Sequence, residues 1–387
     1  MKQLLCIEKF LIDKDVRVVV LLFLIWKIVL STVAFFSIYI LPLRSNDLLG
    51  GGIEKYLTAP WFYGWANFDG EHYLSIAQIG YRDLEQAFFP VFPILMNILS
   101  KPFNGNIESF IVSGLIISNI AFLASLIILW KLIIFDYSKK VAYITILILI
   151  LYPTSLYFSS LYSESLFLLL SVSSFYLMRK NKWIWASILG GFSSGTRVFG
   201  ILLAPAFFIE ALQKKVGLHK YFWILIIPFG LFAYMYYQWI TTHDPLAFYH
   251  LQKIIGPQHT EGITLLPQIY FRYIKILIST DIQNPIYSTV VLEFFTGILF
   301  FVLPIYGFFK KMKNSYIFYS LVGFILPTIQ GSFSSTPRYV LVLFPSFLAL
   351  ALFLNSLKLP IRLTILTLFG IWLIFETVLF FRGYWVA

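Results

Sequence analysis

Residues 17–41 read RVVVLLFLIWKIVLSTVAFFSIYIL, about 25 largely apolar positions broken by a single internal lysine, Lys27. Crossing a bilayer as a helix takes roughly 20 apolar residues, with about 17–25 as the usual range, so this stretch is long enough to span. It follows a charged opening from Lys2 to Arg17, exceeds the apolar core of a signal peptide and precedes no small-x-small cleavage site. It is expected to stay in place as an uncleaved first span.

Apolar runs then recur along the chain, at 109–135, 141–158, 161–179, 183–196, 198–212, 221–241, 287–309, 316–332, 338–356 and 361–381. Composition agrees. Of 387 residues 59% are hydrophobic and only 12% are charged, where a soluble chain carries about a quarter charged. Most of the surface must therefore face lipid. The expected fold is an all-α, polytopic integral membrane bundle, one domain over 1–387, with about 11 transmembrane helices.

A net charge of +11 does not point to nucleic acid, because the Lys and Arg residues sit in small clusters between apolar runs. They act as topology signals. With the N-terminus inside, the positive-inside rule puts Lys139/Lys140, Arg179/Lys180/Lys182, Lys214/Lys215/Lys220, Lys310/Lys311/Lys313 and Lys358/Arg362 on one side. Most acids fall opposite, including Asp47, Glu54, Asp69, Glu71, Glu108, Asp244 and Glu261. Eleven spans, N-in and C-out, satisfy this order.

Two choices shape that count. The segment 88–101, FFPVFPILMNILSK, carries Pro90 and Pro93 and is too short to cross, so it is read as dipping into or lying on the outer face. The run 183–212 is split where Gly190, Gly191, Gly195 and Arg197 interrupt it. Two long outer loops result, about 42–108 and 242–286, and loops that are long where others are minimal usually carry function. The lone cysteine, Cys6, excludes an intramolecular disulfide.

The first loop holds NFDGEHYLSIAQIGYRDLEQAFFPVFP, Asn67 to Pro93. Glu71 to Ile79 has the spacing of a short amphipathic helix, and Asp69 is placed either to cap it or to act as a general base. Glu71 and His72 follow at once. Glu164 in LYSES, Arg197 in GGFSSGTRVFG and Arg338 in SFSSTPRYV all sit at the outer ends of spans. Charges at such depth are costly unless they pair or face a wet cavity. The plain alternative for each arginine is snorkelling to headgroups or a structural pair with Glu164. Glu293 and Glu376 lack any surrounding motif and read as packing or pairing residues. His243, Asp244, His250, His259 and Glu261 of the second loop match no metal-ligand spacing, and Gly191/Gly195 read as close helix packing.

FDGEHYLSIAQIGY with AFFPVFP resembles the first-loop signature of the PIG-V family, the mannosyltransferases of glycosylphosphatidylinositol synthesis and their prokaryotic relatives. YPTSLYFSSLYSESLFLLLSVSSFYL (Tyr152 to Leu177), GGFSSGTRVFGILLAP (Gly190 to Pro205) and TPRYVLVLFP (Thr336 to Pro345) resemble its later blocks in order. Phe68 stands where that family usually has Trp, and Gly70 where Ala or Ser is commoner. The resemblance implies a GT-C-type fold and transfer of a hexose from a polyprenyl-phosphate sugar to an acceptor hydroxyl, with inversion. It implies Asp69 as the catalytic acidic residue, Arg197 and Arg338 at the lipid phosphate, and Glu71, His72 and Glu164 in support. The partners are then the bilayer, the lipid-linked sugar and a lipid or glycan acceptor, with no cofactor expected and a divalent metal left open. A transporter or flippase is the rival from another class, but it predicts repeated halves, and no internal repeat is evident.

Overall fold

The apolar runs fold into helices, some long and continuous and others short. The computed structural model describes residues 14–44, 48–251 and 263–387, and these form helices, turns and irregular connections with no strand among the described residues. Helix α1, Lys14–Phe36, buries Val16, Val19, Phe23, Trp26 and Leu30, the 3-4-3-4 spacing of one helical stripe. Its other face is equally apolar, with Leu21, Leu24, Ile25 and Ile28 between 47% and 64% exposed. A helix apolar on both the packed and the open face needs lipid as its solvent.

The first loop folds into short helices: α2 (Gly52–Thr58), α3 (Pro60–Tyr63), α4 (Asp69–Ile79) and α5 (Val91–Ser100). At ten residues α5 is about 15 Å long, and it packs against α6, Ile107–Ile133. Asn106 starts α6 by accepting the Ser109 N–H at 2.9 Å, which satisfies one of the free donors of the first turn.

The bundle continues with α7 (Lys139–Leu151), α8 (Glu164–Arg179), α9 (Trp183–Thr196) and α10 (Leu203–Gln213). Then come α11 (His219–Ile224), α12 (Phe229–Thr242), α13 (Ala247–His250), α14 (Leu266–Ser279) and α15 (Ile286–Phe309). The chain closes with α16 (Asn314–Thr328), α17 (Thr336–Tyr339), α18 (Phe344–Ser356) and α19 (Leu359–Phe381). Helix α8 sits between α6 and α9, α7 packs on α18, and α1 packs on α19.

Among the described residues, five stretches are long and apolar enough to cross a membrane by themselves: Lys14–Tyr39, Ile107–Ile133, His219–Thr242, Ile286–Phe309 and Leu359–Phe381. A sixth forms if Thr336–Val342 and Phe344–Ser356, bent by 89°, count as one. The other expected spans are shorter helices ending at breaks. Tyr152 turns extended (φ −59°, ψ 137°) because Pro153 disfavours the helical region for the residue before it. Arg197 is extended (φ −156°, ψ 146°) between α9 and a 3-10 turn, Val198–Leu202, at the point where the sequence splits 183–212.

Irregular backbone at membrane depth is tolerable only when protein surrounds it. Between α7 and α8 the chain from Tyr152 to Ser163 is buried, and its serines bond inward, Ser160 Oγ to Leu156 O at 3.0 Å and Ser155 Oγ to Ile150 O at 2.6 Å. The first loop grips the same segment, since the Leu161 N–H donates to Trp65 O at 2.9 Å.

In the second loop, His250 Nδ1 lies 2.7 Å from Asp244 Oδ2, while His259, Glu261 and, in the first loop, Asp47 lie outside the described residues. No group of three or more metal-ligating side chains forms among the described residues.

Candidate active site

Four charged residues from four separate parts of the chain meet beside the first loop. Asp69 opens α4 and its Oδ2 lies 2.5 Å from Arg338 Nη1. Arg338 Nε lies 3.5 Å from Glu164 Oε1, and the same oxygen lies 2.5 Å from Arg197 Nη1. Two cations and two anions therefore form one chain of contacts, Asp69–Arg338–Glu164–Arg197. Glu164 is 1% exposed and Arg338 is 6% exposed. Burial of this depth makes the group expensive. Breaking such a pair leaves an uncompensated charge at a cost of about 3–5 kcal/mol, while an apolar replacement of the whole group is often neutral, so stability alone is a poor reason to keep it.

Each member sits where a helix is interrupted. Glu164 begins α8 after the buried Tyr152–Ser163 segment, Arg197 is the extended residue after α9, and Arg338 lies in the one-turn α17 before the 89° bend. Interruptions free the chain to aim side chains inward at one level, which a row of straight helices does only with its i, i+4 stripes.

Aromatic rings box the centre. The Arg338 guanidinium lies 5.6 Å from the Tyr157 ring, 5.5 Å from Tyr162 and 5.2 Å from Tyr339. Arg197 lies 5.6 Å from the same Tyr339 ring. Two buried polar atoms at the centre, Glu164 Oε2 and Arg338 Nε, have no hydrogen-bond partner.

Asp69 does not cap its helix. The helix begins at Asp69 itself, with Phe68 in the cap position and no side-chain cap bond, because the carboxylate is engaged by Arg338 instead of a backbone N–H. Phe68 is left-handed in φ (φ 58°, ψ −121°), a strain of about 1–3 kcal/mol that persists only where the surroundings over-determine it. They do. The Phe68 N–H donates to Leu48 O at 2.6 Å, and its ring packs 5.7 Å from both Phe380 and Trp385. Asn67, fully buried, accepts the Gly50 N–H and donates to Phe380 O, both at 2.9 Å, and its carbonyl accepts from the Tyr162 hydroxyl at 2.9 Å.

Gly70, the other departure from the family pattern, has room. A Cβ there would meet Ala66 and Leu161 at 3.6 Å, ordinary contact distance.

Glu71 and His72, expected beside Asp69 in support, turn elsewhere. Glu71 Oε1 accepts the Gly51 N–H at 2.5 Å, which finds a purpose for the Gly50–Gly52 turn. Burial pushes the Glu71 carboxyl up to about 7, against the Gly51 N–H and Arg82, which hold it down. His72 stacks on Phe88 at 4.7 Å and lies 4.0 Å from Glu85. Both brace the loop. Asn67, Tyr157, Tyr162 and Ser163 were not singled out from the sequence. Only the NFDGE and LYSES runs that contain or adjoin them gave a signal.

An apolar cavity of about 820 Å³ is lined by α4 (Ile76), α5 (Val91), α9 (Phe192, Gly195) and α12 (Phe229, Tyr234), so two of its walls are the helix that Asp69 opens and the helix that ends before Arg197. Gly195 is two residues before Arg197, and Ile76 is seven after Asp69.

Fold and site together define a multi-pass, all-helical membrane protein of the GT-C type, with a buried charge centre walled by aromatic rings. The chain belongs to the mannosyltransferase (PIG-V) family, whose sequence pattern matches residues 7–262. The GPI mannosyltransferase pigv-1 of Caenorhabditis elegans is 28% identical over 157 residues, 36% of this chain and 23% of that protein. The matched stretch is thus about a quarter of the relative's length.

Among solved structures, the fold is similar to that of ArnT from Cupriavidus metallidurans bound to undecaprenyl phosphate. That similarity has a TM-score of 0.52 and 13% identity, covering 89% of this chain and 62% of that one. The Archaeoglobus fulgidus oligosaccharyltransferase also matches, at a TM-score of 0.46 and 14% identity, over 93% of this chain and 53% of that one.

Proposed function

We propose that this protein is a membrane glycosyltransferase that moves a hexose, mannose by family, from a polyprenyl phosphate to an acceptor hydroxyl. The observation that carries the reading is the contact between Asp69 and Arg338 at 2.5 Å, inside a buried charge centre whose helices α4 and α9 also line an apolar cavity. A lipid-linked donor needs both halves of that arrangement, cations for its phosphate and an apolar wall for its tail. The family description and the undecaprenyl phosphate bound by ArnT support a donor of that class.

Asp69 is the general base. The acceptor oxygen attacks the anomeric carbon, its proton passes to the Asp69 carboxylate, and the bond from that carbon to the phosphate oxygen breaks on the opposite face. Configuration is inverted. The leaving polyprenyl phosphate keeps its negative charge, so it needs cations rather than a proton. Arg338 and Arg197 supply them, strengthened by low dielectric and held in direction by Glu164. Arg338 thereby spans base and leaving group. Glu71 and His72 act by bracing the loop that carries Asp69. The basic clusters support a reaction on the non-cytoplasmic face.

The test is incubation of the purified protein with labelled polyprenyl-phosphate mannose, or the glucose analogue, and a lipid extract. Label is expected in a new lipid or glycan and is lost in Asp69→Asn. Near-normal transfer by that variant at equal protein level sinks the assignment.

A further inference from the structure

Glu293 is an acid inside a spanning helix, α15, and is 5% exposed, yet no Lys or Arg pairs with it among the described residues. A carboxyl in such a place calls for an explanation. Its two oxygens are both used, and on different partners. Oε2 accepts the Tyr273 hydroxyl of α14 at 2.7 Å, and Oε1 faces the backbone N–H of Ser335 at 3.3 Å. Tyr273 also lies 3.3 Å from Ser332 Oγ.

Ser335 is the residue on which the Arg338 turn is built. It is left-handed (φ 61°, ψ 0°), and its carbonyl accepts the N–H groups of both Arg338 and Tyr339 at 3.0 Å. One turn along α15 from Glu293, a Cβ on Gly297 would come within 2.9 Å of the Phe333 ring. The segment before Arg338 is therefore pressed onto α15 and pinned there by Glu293. From the other side, Thr154 Oγ1 donates to Pro337 O at 2.6 Å.

We propose that Glu293, with Tyr273, is a positioning residue for Arg338: its carboxylate grips Ser335, and this grip fixes the direction in which the guanidinium meets the lipid phosphate. The proposal rests on the donor reading above. It turns a residue that reads from sequence as packing into part of the binding apparatus, acting through the backbone without touching the ligand. It also ties α14, in the second long loop, to the site built by the first.

A pair of variants in one background isolates the grip. With Tyr273→Phe in both, Glu293→Gln keeps an oxygen for the Ser335 N–H, whereas Glu293→Leu removes it. Neither leaves a buried charge unpaired, but the Leu pair leaves the Ser335 N–H without its acceptor, and an unsatisfied buried donor lowers stability. The full chain is placed in lipid nanodiscs, and affinity for undecaprenyl phosphate is measured beside the melting temperature.

The Gln/Phe pair is expected to bind within about threefold of wild type. The Leu/Phe pair is expected to bind on the order of tenfold more weakly per folded molecule, beside a modest fall in melting temperature from the orphaned Ser335 N–H, since displacement of a positioned group by about an ångström costs of that order or more. Equal affinity of the two pairs overturns the inference. Arg338→Gln separates the levels. If it binds undecaprenyl phosphate as wild type does, or if wild type does not bind, the donor reading itself fails and this inference goes with it.

Discussion

The two ends of helix α8 carry opposite charges and serve different ends. Glu164 is its first residue and Arg179 its last, about 24 Å apart, and each sign suits the helix dipole at its own end. At the Arg179 end the charges close on themselves. Arg179 binds Asp136 through both terminal nitrogens, with Nη2 at 2.9 Å from Oδ1, and Lys313 stands 3.9 Å away. At the Glu164 end one carboxylate serves two arginines, keeps one oxygen without a partner, and shares Arg338 with a second acid. An ion pair that satisfies its members is a fastening. One that leaves buried atoms unsatisfied is a place for something else to bind.

The comparison breaks first, and hardest, at Asp69. Asp69→Asn is expected to lower transfer by about 10²–10⁴-fold, the usual worth of a general base, read at matched amounts of folded protein because the change also leaves Arg338 and Arg197 sharing Glu164. Glu164→Gln comes next. It leaves two buried arginines sharing one acid, and thermal denaturation in detergent is expected to register a loss of about 3–5 kcal/mol; a loss as small as that of any surface pair would erase the contrast between the ends. Arg179→Lys, which gives up the two-pronged contact with Asp136, is expected to cost about 1 kcal/mol or less and to leave transfer as it was.

Glu71 sharpens the account of the loop. Its carboxyl is raised to about 7 from an ordinary value of 4.5, so the folded loop favours the protonated form. Its contribution is complete below pH 4.5 and is lost as pH rises through about 7. Glu71→Gln keeps an acceptor for the Gly51 N–H and should flatten melting temperature against pH across that window; an unchanged slope would show that another group is titrating. The smallest effect is Gly70→Ala, where the free space predicts normal transfer and a gain of up to about 1 kcal/mol.

The apolar runs made the class of fold legible, and Gly195 with Arg197 marked a break that the structure has. Helix ends were less readable. Pro153 signals an end to α7, but nothing in the run to Ser163 shows that this stretch stays buried with only a short 3-10 turn, Ser155–Phe158, in place of an α-helix. At the site, Asp69, Glu164, Arg197 and Arg338 stood out because charge is rare in such a chain. What pairs with what was hidden. Asp69 and Arg338 are 269 positions apart, so a local pattern favoured a cap for Asp69 where a distant arginine takes the carboxylate. Asn67, Tyr162 and Glu293 act through contacts with distant parts of the fold, which leave no periodic trace.

The interrupted helices also bear on how the protein is made. α7, with thirteen residues, and α9, with fourteen, are each about 20 Å long, short of the ~30 Å hydrocarbon layer. Neither satisfies its flanking backbone unless its neighbours are already present. During synthesis α1, α6, α15 and α19 have the length to enter the bilayer independently, whereas α7 and α9 must wait in the lipid interface or the insertion machinery for partners. Assembly of the membrane domain and assembly of the charge centre are then the same event, and a chain that fails to gather its four charges is expected to be left partly inserted and exposed to quality-control proteolysis.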